Sequence, residues 1–446
     1  MLRISQLKLP VEHTEAQLKK KLLKTAHIKE QDLKQFFIRK RSVDGRKKPE
    51  LYYVYTVDLI VANEEHVKKI SKGKLQTVQE KNYHIPEHGA KKLRKRPVVI
   101  GSGPAGLFCA YLLAFEGYEP LVIERGAPVR ERQKVVEQFW KDGILNTASN
   151  VQFGEGGAGT FSDGKLNTLV KDKFGRNRFV LETFVKFGAP EEILWESKPH
   201  IGTDILIEVV ERMREEIIRL GGEFLFHSQV TDILPKENCL IVNGCHRIET
   251  DAAVFAVGHS ARDTFQMLFD RNVAMKSKSF AIGVRAEHRQ DMIDEAMYGR
   301  KERGPLGAAA YKLTAQLENG RGVYTFCPFP GGYVFKAPAE QGLLAVNGMS
   351  YHDRAGENAN SAVIVTVTKD DYGSDHPLAG MEFQRRLEKK AWEEGGGNVP
   401  IQRFADFCTG TISVKTGNVT PNIKGKYVFG NVRNIFPPEL AESIES

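Results

Sequence analysis

The chain has 446 residues, of which 41% are hydrophobic and 27% are charged. This composition is typical of a folded globular protein of two or three domains, and it excludes a disordered, collagen-like or small disulfide-stabilised chain. No apolar run approaches the ~20 residues that span a bilayer, so we expect no membrane partner. The N-terminus lacks a signal-peptide core, and the five cysteines have neither CxxC nor metal-ligand spacing. We therefore expect a cytoplasmic protein without a bound metal.

The net charge of +8 is unevenly distributed along the chain. Residues 1–96 contain 24 Lys and Arg against 11 Asp and Glu, whereas the remainder is slightly acidic. Such a basic segment raises the question of a nucleic-acid partner. The basic runs at 19–21 and 91–96 contain no aromatic residues that would stack on bases, so a solvated basic surface and a basic linker are favoured.

The N-terminal segment predicts a small α+β domain. Its predicted elements, in chain order, are a strand at 2–9, a helix capped by Thr14 that ends near residue 26, strands at 36–42 and 51–61, a short helix from Asn63 and a strand at 75–78. The order βαββαβ is typical of a ferredoxin-like domain, which we assign to residues 1–90. A linker rich in Lys, Pro and Gly follows it.

The stretch at 97–126 is the most specific signal in the sequence. Three consecutive apolar residues at 98–100 predict a buried parallel strand, and a GxGxxG turn follows. An amphipathic helix comes next, with an apolar inward face that consists of Leu107, Ala110, Tyr111, Ala114 and Phe115. Gly101 permits the tight turn, and Gly103 lets a pyrophosphate approach the backbone. Gly106 lets the helix pack closely against the strand. The helix N-terminus then offers unpaired N–H groups to the phosphates, which predicts a dinucleotide site.

A second strand at 121–123 ends at Glu124, which is placed to accept hydrogen bonds from ribose hydroxyls. Another GxGxxG match runs from Gly154 to Gly159, but neither a clear helix nor an acid at the right distance follows it. We interpret this second match as an ordered loop. Such a loop brings several backbone N–H groups against a flavin or its pyrophosphate.

The rest of the chain predicts further α/β elements and a set of antiparallel strands. They are helices at 203–219 and 381–394, strands at 223–226, 229–234, 240–242 and 253–257, and antiparallel strands at 280–287, 322–326, 333–337, 343–347 and 362–366. The strand at 253–257 is predicted to be buried. We assign 97–275 to a Rossmann-type domain, 276–400 to a substrate or cap domain, and 401–446 to a further segment.

Eight segments spread over the whole chain carry a family resemblance: VIGSGPAGLF, SNVQFGEGGAGTFSDGKL, KPHIGTD, GHSARDT, FAIGVR, GRGVYTFCPFPGGYV, NGMSYHDRAGENANSA and HPLAGMEFQR. They resemble the uncharacterised FAD-dependent dehydrogenases of prokaryotes, which belong to the glutathione-reductase-like flavoprotein superfamily. The resemblance implies FAD as the cofactor. It also implies an α/β fold in which a Rossmann-type FAD-binding domain contains an inserted β domain of mixed and antiparallel strands.

The resemblance also implies a set of cofactor-binding residues. They are Gly101, Ser102, Gly103, Pro104, Ala105, Gly106, Glu124, Arg125, Gly156, Gly157, Ala158, Gly159, Thr160, Lys165, Val230, Ala256 and Gly258. By similarity, the backbone at Val230 is expected to meet the adenine, and residues 256–258 are expected to meet the nucleotide. The loop at 154–165 is expected to line the flavin.

One departure from the family pattern concerns the end of the chain. Members of the family continue to a second flavin motif, in which a glycine is followed by an acid that binds the ribityl chain. Here Gly430 is followed by Asn431. We therefore expect residues 401–446 to be the start of an incomplete C-terminal segment. A truncated, non-catalytic FAD-binding remnant is one alternative function.

The main prediction is an enzyme: an FAD-dependent oxidoreductase that transfers two electrons between flavin and a small molecule of unknown identity. The sequence has no second complete Rossmann turn, so NAD(P)H is expected only as an external partner. The basic N-terminal segment motivates a second alternative, a flavoenzyme that acts on RNA.

No catalytic residue is assigned from the sequence, but several side chains are candidates. His200 and His259 lie in loops, where each is either an acid–base group or a structural hydrogen-bonding partner. Lys165 and Arg285 either stabilise negative charge on reduced flavin or an anionic substrate, or form surface ion pairs. Cys327 has no partner cysteine nearby, which argues against a redox thiol.

Overall fold

The computed structural model describes residues 1–71, 73–168 and 170–446. Its N-terminal unit consists of β1 (Leu2–Pro10), α1 (Glu15–Ala26), β2 (Leu33–Lys47), β3 (Glu50–Val61), α2 (Glu64–Ile70) and β4 (Gln76–Thr77). The strands form one antiparallel sheet in the order β2-β3-β1-β4, which is the order of a ferredoxin-like sheet. Thr14 caps α1 by accepting a hydrogen bond from the Gln17 N–H, as the sequence predicts.

The core of this unit continues into the C-terminal half of the chain. Leu22 and Leu59 are fully buried in a cluster that also contains Ile293 and Tyr298. The N-terminal sheet therefore packs directly against distant residues and is not an isolated unit. Part of its basic character is neutralised internally, since the fully buried Asp58 pairs with two arginines of the sheet.

The central unit consists of β5 (Val98–Ile100), α3 (Pro104–Phe115), β6 (Leu121–Ile123), α4 (Val129–Asp142), α5 (Arg176–Lys186), α6 (Thr203–Arg219), β7 (Glu223–Leu225), β8 (Val230–Leu234), β9 (Cys239–Val242), β10 (His246–Glu249), β11 (Ala253–Phe255) and α7 (Arg262–Asp270). A parallel sheet has the order β11-β5-β6-β7, and an antiparallel sheet has the order β10-β9-β8. The predicted mixed α/β fold with a Rossmann-like unit is confirmed.

Two predictions about burial in this unit are wrong. The strand predicted to be buried at 253–257 is β11, and it lies at the edge of the parallel sheet, where only β5 pairs with it. Val254 is 38% exposed there. Phe115, predicted on the inward face of α3, is 58% exposed because it is the last residue of the helix.

The C-terminal half consists of β12 (Phe280–Arg289), α8 (Gln290–Tyr298), β13 (Thr314–Gln316), β14 (Gly322–Phe329), β15 (Tyr333–Lys336), β16 (Val346–Met349), β17 (Asn358–Val367), α9 (Lys369–Tyr372), α10 (Ala379–Glu394), β18 (Val399–Ile401), α11 (Phe404–Thr409), β19 (Ile423–Lys424), β20 (Tyr427–Phe429) and α12 (Pro438–Glu445). Its main sheet is antiparallel, in the order β12-β17-β14-β13.

The core of this half runs across the boundary that the sequence analysis sets after residue 400. Phe383 and Val365 share one apolar cluster with Phe436 and Leu440. Strands β18 and β20 pair in parallel, and β19 pairs with β15. Residues 401–446 therefore pack as part of the same core as the strands before them.

Two searches of the described part of the chain bear on membranes and metals. In that part, none of the helices combines the length and apolar character that crossing a membrane requires. Among the same residues, there is no group of three or more His, Cys, Asp or Glu side chains that could hold a metal ion.

Candidate functional site

The turn between β5 and α3 is shaped by glycines that have no room for a side chain. Gly101 has φ +96°, and a Cβ there would lie 2.6 Å from the Ala256 carbonyl oxygen on the neighbouring strand. A Cβ on Gly106 would lie only 1.8 Å from the Gly101 carbonyl oxygen. Both positions therefore require glycine, one for its backbone angle and one for the close contact between helix and turn.

Gly103 differs from these two glycines because a Cβ there would make only an ordinary van der Waals contact. The nearest atom to a Cβ on Gly103 would be the Gly157 Cα, at 3.7 Å. Gly103 is also the N-cap of α3, and no side chain caps the helix there. The N-terminus of α3 therefore lies against the glycine-rich loop at residues 154–161, and its uncapped N–H groups are donors of the kind that bind a pyrophosphate.

Glu124, at the end of β6, is 5% exposed and holds three chain segments together. Its Oε2 accepts hydrogen bonds from the Ser102 N–H at 2.9 Å and the Ser102 hydroxyl at 2.8 Å. Its Oε1 accepts from the N–H groups of Gly126 at 2.9 Å and Gly154 at 3.1 Å. A carboxylate has about four acceptor positions. A ribose hydroxyl would therefore have to share one of these positions or displace a donor from it.

The glycine-rich loop, defined as residues 154–161, ends in a 3₁₀ turn at Gly157–Phe161, and no α-helix follows directly. The interpretation of the second GxGxxG match as a loop is confirmed. The loop is held from inside by Arg132 of α4, which is fully buried. The Arg132 guanidinium donates hydrogen bonds to five backbone carbonyls, those of Asn150, Val151, Gly154, Glu155 and Gly157.

Arg132 is not among the predicted site residues, although the sequence contains a signal for it. The buried positions of α4 are Val129, Arg132, Val136 and Phe139, which follow the spacing of an apolar helix face. A charged residue on such a face must find internal partners, because an unpaired buried charge is costly. Here the partners are carbonyl groups that no sequence pattern identifies.

A second buried charge in the loop is Glu155, which is fully buried. Its Oε2 accepts a hydrogen bond of 2.7 Å from the Val129 N–H at the start of α4. Arg214 of α6 lies 3.4 Å from its Oε1. Burial nevertheless raises the pKa of Glu155 to about 7, so this carboxyl group changes its charge near neutral pH.

These segments enclose a cleft of ≈480 Å³ at the C-terminal edge of the parallel sheet. Its volume lies in the range of ligand-binding clefts. The predicted cofactor-binding residues that line it are Gly101, Gly103, Pro104, Ala105, Glu124, Arg125, Gly157, Ala158, Gly159, Val230, Ala256 and Gly258. The remaining predicted cofactor-binding residues do not line the cleft, and they are Ser102, Gly106, Gly156, Thr160 and Lys165. Further lining residues that the sequence analysis did not name include Gln152, Phe153, Ser228, Gln229, Ser260, Thr264 and Phe265.

Arg125 connects two walls of this cleft. Its guanidinium group lies 4.4 Å from the centre of the Phe153 ring. It also makes a bidentate ion pair with Asp263 of α7, with N–O distances of 2.9 and 3.0 Å. The residue after Glu124 therefore ties the end of β6 to α7 across the cleft.

The two histidine candidates lie in different places. His259 lines the cleft, and its Nε2 is 3.3 Å from the Ser260 hydroxyl. His200 lies outside the lining set, stacks on His352 at 5.4 Å and has its Nε2 3.0 Å from the His352 carbonyl oxygen. Burial lowers the pKa of His200 to about 4, so it is neutral at neutral pH, as expected of a structural hydrogen-bonding partner.

Comparisons with known proteins concern the fold and the cofactor. Residues 99–129 match a model described as an NAD(P)-binding Rossmann-like domain, and residues 279–446 match the C-terminal domain of FAD-dependent proteins. Residues 1–60 match a domain of unknown function. An uncharacterised protein of Clostridium beijerinckii is 45% identical over 457 residues, and the match covers 100% of this chain and 84% of that protein.

Solved structures add only distant similarity. A mutant of 2-methyl-3-hydroxypyridine-5-carboxylic acid oxygenase has a TM-score of 0.30 at 14% identity, and the match covers 64% of this chain and 62% of that one. A mutant of the halogenase PltM in complex with FAD has a TM-score of 0.33 at 10% identity, with 66% and 56% covered. These scores carry no argument about the reaction.

The chain belongs to the same family as the Clostridium protein, and it is an FAD-dependent protein. The predicted cofactor, FAD, is confirmed. The residues of the cleft fit such a group. The glycine at position 103 in the cleft wall, the uncapped N-terminus of α3 and the acceptor at the end of β6 are features that a dinucleotide site uses.

Proposed function

We propose that the protein is an oxidoreductase that transfers two electrons between FAD and a small molecule, with NAD(P)H acting only as an external partner. The observation that carries the proposal is the uncapped N-terminus of α3 at Gly103, which lies against the glycine-rich loop in the wall of the cleft. FAD, when bound, supplies the electron-transfer chemistry, and the protein supplies orientation and electrostatics.

Different residues of the cleft bind different parts of FAD in this proposal. The turn at 101–106 and the N-terminus of α3 hold the pyrophosphate, because their N–H groups and the helix dipole favour negative charge. Glu124 binds the adenosine ribose by sharing its carboxylate with the protein donors. The backbone at Val230 meets the adenine, and 256–258 meet the nucleotide. The glycine-rich loop faces the flavin.

The proposal also includes the domain assignments and a cytoplasmic location. Residues 276–400 supply the substrate-facing strands to the Rossmann-type unit at 97–275. All five cysteines are free thiols, which supports a reducing cytoplasm. No nucleic acid is proposed as substrate, because arginines of the N-terminal unit pair internally with Asp58.

The cofactor half of the proposal is tested with two glycine substitutions. Gly103→Ala places a methyl group where the pyrophosphate approaches, and the protein itself leaves room for that methyl group. We expect FAD affinity to fall about tenfold or more, the equivalent of about 1.4 kcal/mol, with little change in thermal stability. Gly89→Ala is the control, because a Cβ at Gly89 meets nothing within 4 Å. Equal FAD affinities in the two variants would remove Gly103 from the site.

The redox half is tested on the purified wild-type protein. Under anaerobic conditions, the visible flavin absorption is followed during addition of NADH, NADPH or dithionite. We expect the purified protein to contain bound flavin. Dithionite should bleach the flavin absorption, and at least one of NADH and NADPH should reduce the flavin slowly. A protein that releases only nicotinamide on denaturation, or that binds no flavin, would contradict the proposal.

A further inference from the structure

In the described part of the chain, two cations lie beside one aromatic ring, and a third cation shares a carboxylate with one of them. We call Lys165, Arg285 and Arg354 the cationic cluster. The Lys165 Nζ lies 3.5 Å, and the Arg285 guanidinium 4.9 Å, from the centre of the Phe329 ring. The fully buried Asp163 pairs with Lys165 at 3.3 Å and with Arg354 at 2.7 Å.

Arg285 has no carboxylate within ion-pair distance among the residues that the structure describes. Its guanidinium donates to neutral oxygens instead, those of the Asn360 side chain at 2.6 Å, the Asn347 side chain at 3.1 Å and the Cys327 backbone at 3.4 Å. The cluster therefore carries more positive than negative charge away from water. Buried charges in proteins are normally paired, so this excess needs an explanation.

Several donors of the cluster also lack an acceptor within the described residues. The Lys165 Nζ is buried without a hydrogen bond, and so is the Nδ2 of the fully buried Asn360. The Nε of Arg354 is likewise buried without a hydrogen-bond partner. The Lys165 Nζ has only the ion-pair contact with Asp163, and the other two donors have no acceptor among the described residues. Unsatisfied buried donors in a native protein indicate a missing partner.

The cluster lies near solvent but outside the FAD cleft. The Lys165 side chain is 18% exposed although its Nζ is buried, so the cluster borders solvent at this side chain. Neither Lys165 nor Arg285 lines the cleft of ≈480 Å³ described above. An anion bound at the cluster would therefore be a molecule other than the ADP part of the cofactor. Burial lowers the pKa of Lys165 to about 8, as expected of an ammonium group without full charge compensation.

We propose that Lys165 and Arg285 bind a carboxylate of the substrate, so that the substrate of this enzyme is a small organic acid. The inference rests on the proposed oxidoreductase function and narrows its substrate class. A carboxylate matches the planar edge of a guanidinium group with two parallel hydrogen bonds, and the ammonium group adds a point charge beside it. Asn360 then contributes a neutral donor.

The test is an anion titration of the full-length FAD-loaded protein at constant ionic strength. Acetate and glycolate are the carboxylate probes, and inorganic phosphate is the comparison. Binding is read from the melting temperature and, independently, from the flavin absorption spectrum. The variants are Lys165→Met, Arg285→Lys, which keeps the charge and loses the planar fork, and Lys173→Met. The last is the control, since Lys173 is exposed and the substitution removes the same charge.

We expect saturable binding of the carboxylates to the wild type and to the control. Lys165→Met and Arg285→Lys should each weaken it about tenfold or more, which is the loss of one charge-assisted contact. Wild-type affinity should fall above about pH 8 as Lys165 loses its proton, and the Lys165→Met profile should be flat there. The groups that face Lys165 and bias this titration are Asp163, Arg354 and Cys327.

Three results would overturn the proposal: no saturable carboxylate binding by protein that retains flavin, tighter binding of phosphate, or equal binding by all variants. A lower flavin reduction potential in Lys165→Met without added anion, combined with unchanged acetate binding, would assign the cluster to the flavin instead. Failure of the oxidoreductase function is recognised separately by the absence of a reducible flavin. The melting-temperature titration does not depend on the flavin.

Discussion

Replacing Arg132 by lysine tests whether a buried side chain, and not the loop sequence, gives the glycine-rich loop its shape. Arg132 is fully buried, and its guanidinium contacts five backbone carbonyls at distances of 2.6 to 3.3 Å. It also lies 4.8 Å from the centre of the Phe161 ring. Lysine keeps the positive charge but has only three N–H donors and no planar fork.

The magnitude follows from these contacts. Lysine can satisfy at most three of the five carbonyls, so at least two hydrogen bonds to a charged donor are lost. At about 1.5 kcal/mol or more for each, the free energy of unfolding should fall by about 3 kcal/mol. Gly154, Gly157 and Gly159 of the loop line the cleft, so we also expect FAD affinity to fall by about tenfold or more.

The assay combines urea unfolding of the apoprotein with FAD titration by fluorescence quenching. Arg130→Lys is the matched control on the same helix, because Arg130 is 51% exposed and its ion pair is with Glu211 at 2.9 Å. Exposed pairs of this kind contribute about 0–1 kcal/mol. If Arg132→Lys and Arg130→Lys unfold at the same urea concentration and bind FAD equally, the loop does not depend on Arg132.

Three further predictions concern the same site. Gly106→Ala should destabilise the protein by about 1–3 kcal/mol or more, since its Cβ would lie 1.8 Å from the Gly101 carbonyl oxygen; an unchanged urea midpoint would show that the turn relaxes freely. Because burial raises the pKa of Glu155 to about 7, the folded state binds this proton more tightly than the unfolded state, and stability should decline as pH rises from about 4.5 to 7. The decline is on the order of 3 kcal/mol, and Glu155→Gln should reduce it. Unfolding curves at several pH values test this, and an equal dependence of stability on pH in the wild type and the variant would contradict the prediction. Glu124→Ala should lower FAD affinity by roughly 1–3 kcal/mol and also lower stability by roughly 1–3 kcal/mol for each donor left unpaired; a loss of affinity alone would mean that the carboxylate serves only the ribose.

The parts of the site that could be predicted are those whose physical cause lies within a few residues. The turn at 101–106 is required by backbone angles and by contacts inside one strand–turn–helix unit, so its glycines indicate it directly. Glu124 is indicated just as directly, because it immediately follows the apolar strand β6. Helix α6 begins at Thr203 and ends at Arg219, the bounds that its apolar spacing predicts.

The predictions that are wrong or missing depend on residues that are distant in the sequence from the residue concerned. The apolar residues of β11 predict burial, but whether a strand is central or at the edge depends on which other strands join the sheet. Arg132 donates hydrogen bonds to backbone carbonyl groups. Every residue has such a group, so the sequence does not identify the partners of Arg132. The hypothesis for Lys165 and Arg285 names both cations, but only the fold brings them to the same ring of Phe329.

The carboxylate of Glu124 shows why cofactor binding and stability are coupled in this protein. Its four hydrogen bonds join the turn after β5, the end of β6 and the glycine-rich loop. Arg132 holds that loop from its other side. The two buried charges therefore fix both walls of the cleft before a ligand enters, which lowers the ordering cost of binding. A ligand that binds only this arrangement stabilises it in turn by mass action, so substitutions at either charge should change the melting temperature more when FAD is present than when it is absent.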